Sequence, residues 1–266
     1  MNIIRKIITE KNIYKIDPNS KNLIFAHIEN IKKKKILRSA FSYFYNEILT
    51  LSNNHFSINK NFIELELGSG VGFIKDFKRS IITSDLRSIP NIDKHIDACS
   101  MPFDDESVGG IYAINVFHHL DNPDNFFKES YRVLKRGGGI ILIEPHGGVL
   151  SKLIHKVIHT DEFFDSSVLD WKQNVTGSLS GANQALAEIV FNRDEVKFKE
   201  KYANKLVLIK KKYASNFLQY LLSGGLNFKQ LCPDFFLPML IFIEKILNNI
   251  FPRFFSLHQI IVIKKL

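Results

Sequence analysis

Through the middle of the chain, short apolar runs alternate with amphipathic stretches, and that rhythm alone predicts a layered fold. Phe62–Leu67, Ser80–Ser84, Gly110–Val116 and Gly139–Ile143 are brief, apolar and bounded by turn residues, the pattern of strands buried in a sheet. Between them, Val71–Arg79 predicts a short helix. Pro123–Leu134 predicts a longer one, with Phe126, Phe127, Tyr131 and Leu134 at helical spacing. Strands separated by helical crossovers form a mostly parallel sheet wound right-handed. The expected fold is α/β, a Rossmann-like doubly wound sheet, in which ligands bind beyond the carboxyl ends of the strands near the point where strand order reverses.

The flanks read differently. Leu23–Asn30 and Ile36–Leu51 carry apolar residues at helical spacing, among them Leu37, Phe41, Phe44, Tyr45 and Ile48, and Lys32–Lys35 separates the two stretches. This sets an N-terminal helical segment, 1–60, apart from a sheet domain, 61–266. Late in the chain a long excursion, about 146–203, interrupts the sheet before the strand-like runs Leu206–Ile209 and Gln259–Ile263. It includes Gly177–Asn183 and reads as a helical insertion that covers a site or binds an acceptor. Pro238–Ile250 predicts a helix. Met239, Phe242, Ile243, Ile246, Leu247 and Ile250 make one stripe, opposite Glu244, Lys245, Asn248 and Asn249. The stripe is expected to pack in the core, with a membrane-surface or lipid-acceptor face as the other reading.

Composition narrows the partners only a little. The 266 residues hold 36 Lys and Arg against 27 Asp and Glu, a net charge of +9. The excess is mostly Lys spread along the chain, so it leaves RNA or an acidic membrane surface open without selecting either. Cys99 and Cys232 form no metal-binding spacing, and no metal is expected. The N-terminus lacks the apolar core of a signal peptide, and no uncharged apolar stretch reaches the ~18–20 residues of a spanning helix. The expected location is the cytoplasm, and the oligomeric state is open.

Chemistry concentrates at the ends of the predicted strands. Glu66-Leu67-Gly68-Ser69-Gly70-Val71-Gly72 ends the first. Glycines here allow a tight turn and let backbone approach a ligand closely. Glu66 just before the turn suits a cationic group, whereas a phosphate would prefer bare N–H groups. Asp85 ends the second strand, placed to accept from ribose hydroxyls. Asp97 can accept from an adenine amino group, and the N–H of Ala98 can donate to a ring nitrogen, with Met101 and Phe103 beside the base. The set suits a monoadenosyl cation such as S-adenosylmethionine better than a dinucleotide. Three histidines stand near expected strand ends: His118 and His119 after the fourth strand, His146 after the fifth. Each is a candidate base for deprotonating an acceptor.

In order, Glu66–Gly72, Thr83-Ser84-Asp85, Asp97–Phe103, Asn115-Val116-Phe117-His118-His119-Leu120 and Val133–Gly139 resemble the class I S-adenosylmethionine-dependent methyltransferases, in particular the type 11 small-molecule group. The resemblance spans roughly 60–145. It implies that Glu66, Gly68, Ser69, Gly70 and Gly72 hold the methionine end, Asp85 the ribose, and Asp97 with Ala98 the adenine. It also implies that Asn115 to Phe117 line the cofactor floor. Two departures stand out: Gly109-Gly110 replaces an aromatic-Asp pair, and the Pro-Pro-Tyr signature of amino-group methylation is absent. The short span from Gly72 to Asp85 limits the first helix to about two turns. The implied activity is methyl transfer to a small-molecule, saccharide or lipid-linked acceptor. An RNA methyltransferase and a non-catalytic module that binds the same cofactor are the alternatives.

Overall fold

The computed structural model describes residues 3–17, 20–58, 61–71, 73–149, 151, 162–175 and 181–266. Gly72 and the run 177–180 of the insertion lie outside them. The chain opens with α1 (Ile3–Ile8), α2 (Lys21–Lys33) and α3 (Lys35–His55). The sheet strands are β1 (Ile63–Leu67), β2 (Ile82–Asp85), β3 (Lys94–His95), β4 (Val108–Ile114), β5 (Leu134–Pro145), β6 (Leu206–Tyr213) and β7 (His258–Lys265). Between β4 and β5 runs α4 (Pro123–Val133); between β5 and β6 come α5 (Leu186–Glu188) and α6 (Glu195–Lys201). Between β6 and β7 lie α7 (Phe217–Leu222), α8 (Leu237–Ile250) and α9 (Pro252–Phe255).

The seven strands are ordered β3-β2-β1-β4-β5-β7-β6. Pairings from β3 through β5 are parallel, and β7 runs antiparallel between β5 and β6. From β1 the chain steps outward first through β2 and β3, then returns to the other side for β4. The order therefore reverses beside β1, where a doubly wound sheet opens a crevice.

Strand alternation sorts the core into two layers. Leu65, Leu67, Ile111, Ala113, Ile140 and Leu142 face α4 and the insertion, where Phe126, Phe127, Phe191 and Phe198 fill the layer. Tyr112, Ile141, Ile143, Ile260 and Val262 face α3, whose Phe41, Phe44, Tyr45, Ile48 and Leu51 cover them. The N-terminal helix α3 thus supplies much of one apolar layer over the sheet, with Phe73, Ile74 and Ala214 beside it. A polar chain is buried in this second layer: Ser52 Oγ lies 2.7 Å from Tyr112 Oη, which donates to Glu64 Oε1 at 2.6 Å. Glu64 also pairs with Lys78.

Two expectations need correction. The first helix, predicted over Val71–Arg79, is a single 3-10 turn at Ile74–Asp76. Phe73 and Phe77 pack edge-on, with centroids 5.7 Å apart, and both rings lie 5.4 Å from Tyr45. The segment is held as an aromatic plug under α3.

The stripe on α8 is inverted. Leu240, Glu244 and Asn248 are buried, whereas Met239, Phe242, Ile246 and Ile250 are exposed. Gln219 on α7 explains the inversion. Its N–H donates to Glu244 Oε1 at 2.8 Å and its side-chain amide donates to Oε2. Asn248 Nδ2 then donates to the Glu244 carbonyl at 2.9 Å. A buried polar group that finds partners turns inward, and the apolar side is left outside. Among the described residues, no helix is long and apolar enough to cross a membrane.

Candidate active site

A cleft of about 300 Å³ opens beside β1 where strand order reverses, at the low end of small-molecule pockets. Gly68, Asp85, Asp97, Ala98, Asn115 and His119 line it, together with Arg87, Leu120, Asp121 and Val175.

The turn after β1 is built to bring backbone close. Gly68 has φ +59, and a Cβ there would meet Val116 Cγ2 at 2.4 Å, so only glycine fits. Ser69 fastens the turn to β2: its N–H donates to the Ser84 carbonyl at 2.7 Å, and its Oγ accepts from the Ser84 N–H at 3.0 Å. Gly70, also at positive φ, donates its N–H to Asp85 Oδ2 at 3.2 Å.

Asp85 has a close partner that sequence reasoning missed. Oδ1 accepts from the N–H of Arg87 at 2.9 Å and from its Nε at 3.1 Å; Oδ2 accepts from Nη2 at 3.3 Å. Arg87 thus covers the carboxylate edge that a ribose diol would use, while its own Nη1 is buried without a partner. Nothing in the pattern around Arg87 marks it beyond its closeness to Asp85. Asp97 caps its own turn, with Oδ1 accepting from the Cys99 N–H at 2.8 Å. Asn115 adopts φ +55, a left-handed conformation that asparagine tolerates better than most residues. Its N–H donates to the Ile143 carbonyl at 2.8 Å, and its Oδ1 is buried with no partner.

Other expected positions fall elsewhere. Glu66 does not line the cleft. Strand alternation points it, like Glu64, into the α3 layer. There it is 2 % exposed, burial pushes its carboxyl up to about 8, and Ser69 and Tyr45 only partly offset that. Its Oε2 has no partner. Ser69 and Gly70 shape the turn without lining the cleft. Phe117 is core: its ring stacks 5.3 Å from Phe191 and 5.6 Å from Phe127, while its N–H donates to Glu144 Oε1 at 2.8 Å.

The three histidines separate. His146 is buried away from the cleft, 3.5 Å from Glu188 and with its ring 4.7 Å from that of Tyr213. His118 and His119 end the 3-10 turn Phe117–His119, with ring centroids 4.2 Å apart. The turn is pinned by Glu144, near the end of β5 and fully buried, which accepts the N–H groups of Val116 and Phe117 at 2.8 Å each. Glu144 also contacts His118 Nδ1 at 2.6 Å. From the insertion, Glu162 approaches with Oε1 3.8 Å from His118 Nε2 and 3.3 Å from His119 Nε2. Burial opposes charge on His118, but Glu144 and Glu162 outweigh it and push the ring up to about 10. Burial, then the neighbouring His118, lower His119 to about 3. Burial would raise Glu162, yet the two histidines hold it at about 2. Only His119 of the three histidines lines the cleft. Gln173 ties the insertion to this turn, its amide donating to the carbonyls of His118 at 2.6 Å and Leu120 at 3.0 Å.

Residues 76–142 match the family model described as a methyltransferase domain. That span is less than half of the chain, and it likens this part of it to a methyltransferase domain. The matched span runs from the aromatic plug into β5 and includes Asp85, Asp97, Ala98, Asn115, His118 and the cleft-lining His119. The glycine turn lies just before it. A domain of that family uses S-adenosylmethionine as its cofactor. The residues present fit it: two carboxylates at strand tips, a turn only glycine can occupy, and an unpartnered amide oxygen on Asn115. No curated protein matches the chain.

Among solved structures, the methyltransferase is similar to geranyl diphosphate C-methyltransferase from Streptomyces coelicolor A3(2) bound to S-adenosyl-L-homocysteine. Identity is 11%, over 85% of this chain and 78% of that one, with a TM-score of 0.48. It is also similar to Haemonchus contortus phosphoethanolamine N-methyltransferase 2 in complex with S-adenosyl-L-methionine. There identity is 12%, over 83% of this chain and 52% of that one, with a TM-score of 0.43.

Proposed function

We propose that this cleft holds S-adenosylmethionine and transfers its methyl group to a small-molecule, saccharide or lipid-linked acceptor. The observation that carries the reading is the convergence of Gly68, Asp85, Asp97, Ala98 and Asn115 on one crevice beside β1. Asp85 accepts from the ribose once Arg87 gives way. Asp97 and the Ala98 N–H meet the adenine edge. Gly68 lets the backbone lie against the cofactor, and Asn115 Oδ1 gains a donor. The bound cofactor supplies an electrophilic methyl on a sulfonium, and the chain's task is alignment and exclusion of water.

His119 stands on the acceptor side, at the wall where the insertion meets the β4 loop. His118 and Glu144 orient that wall. His146 lies outside it and takes no part. The insertion reaches the cleft at Val175, is tied to the turn after β4 through Gln173 and Glu162, and forms, with the sheet, one catalytic unit of residues 61–266.

Among the three acceptor classes, the exposed apolar face of α8 on a chain of net charge +9 favours an acceptor carried at an anionic lipid surface. The test is incubation of the protein and methyl-labelled cofactor with fractionated cell extract, read by mass spectrometry. Label in the lipid fraction supports the reading. Label in RNA, or in no fraction, overturns it.

A further inference from the structure

The pair His118–His119 and Glu162 come from segments 43 residues apart, yet one ligand atom from each lies within 4.8 Å of the others. We propose that they form a binding site for a divalent first-row transition ion of the zinc class, held by Nε2 of both imidazoles and a carboxylate oxygen of Glu162.

Four observations support the site. The first is spacing. Ligand atoms about 2.0–2.1 Å from a tetrahedral ion stand about 3.3 Å apart. Glu162 Oε1 is already 3.3 Å from His119 Nε2 and 3.8 Å from His118 Nε2. The second is orientation. His118 Nδ1 faces the fully buried Glu144 carboxylate at 2.6 Å. With the Nδ1 proton held by Glu144, an incoming ion displaces only the Nε2 proton on the side facing Glu162, the carboxylate–imidazole arrangement that supports metal ligands. The third is charge. Two carboxylates, Glu144 and Glu162, are set against two imidazoles in a largely dry enclosure, which a dication would balance. The fourth is chemistry: two nitrogens and one carboxylate oxygen suit zinc and its neighbours rather than calcium or magnesium.

Because Glu162 lies in the insertion and the histidines follow β4, a bound ion would cross-link the two. The proposed site rests on these side chains alone; any part in methyl transfer rests on the function proposed above.

The test uses the full chain stripped with chelator and titrated with Co²⁺, followed by visible absorption and thermal melting. Wild type should bind one ion with tetrahedral d–d bands and melt at a higher temperature. Glu162→Gln and His119→Gln, which each remove a ligand, should weaken binding by at least about 100-fold, beyond the 10–100-fold seen when a metal site loses only a supporting group. Both variants are measured, so that misfolding of one leaves the other. His95→Gln, at an exposed position that does not line the cleft, should bind as wild type does. Absence of d–d bands in wild type overturns the site, as does binding that both cleft variants retain. Cofactor affinity of the stripped protein, measured separately, separates failure of the ion site from failure of the methyltransferase reading.

Discussion

Replacing Asp85 by alanine removes the carboxylate assigned to the ribose. The side chain is 5 % exposed and accepts four hydrogen bonds, from the Gly70 N–H and from three nitrogens of Arg87. A hydrogen bond to a charged group contributes about 1.5–3 kcal/mol, so two ribose hydroxyls would contribute about 3–6 kcal/mol gross. Displacing the Arg87 guanidinium offsets part of that. The net loss in Asp85→Ala is therefore about 2 kcal/mol, or roughly 30-fold in Kd. Isothermal titration with S-adenosylhomocysteine measures it. Arg87→Ala, which removes the competitor, should tighten binding several-fold in the presence of Asp85 and change nothing in its absence, a coupling that a double-mutant cycle isolates. Asp85→Ala folded as wild type and within twofold of its affinity would refute the ribose assignment, and independent effects of the two substitutions would refute the competition.

The remaining predictions concern the α3 layer. Glu66 has its folded pKa raised to about 8 from an ordinary 4.5, so between these values the native state holds a proton that the unfolded chain has lost. Stability from this group is full below pH ~4.5 and falls as pH rises toward 8, by up to about 4 kcal/mol. Urea unfolding at pH 5 and pH 8 should show that Glu66→Gln loses less stability across the interval than wild type; parallel losses would contradict the burial account. Tyr112→Phe deletes the hydroxyl between Ser52 and Glu64 and should lower stability by about 1–3 kcal/mol through the buried groups it orphans. An unchanged urea midpoint would show that water or a rearrangement satisfies them.

The strands were legible because fully buried strands leave uninterrupted apolar runs, and Ile140–Ile143 are buried on both faces of the sheet. That Asp85 and Asp97 share one cleft was legible because position at a strand tip, not side-chain contact, marks them. The turn of Glu66 away from the cleft was readable from its parity: it alternates with Leu65 and Leu67, which belong to the opposite layer. Phe117 was read with its neighbours as cofactor floor, but its apolar ring is drawn into the cluster with Phe126, Phe127 and Phe191. The stripe of α8 allowed both an inward and an outward face, and the choice depends on Gln219 meeting Glu244 from another helix. Glu162 carries no local signal at all; the fold alone brings it to His118 and His119.

The most direct test of the central claim is ultraviolet cross-linking of methyl-labelled S-adenosylmethionine to the intact protein, followed by peptide mapping. The crevice beside β1 predicts label confined to peptides carrying residues 85–98 and 115–121, lost on competition with unlabelled S-adenosylhomocysteine. Label spread over unrelated peptides, or no competable label, would contradict it.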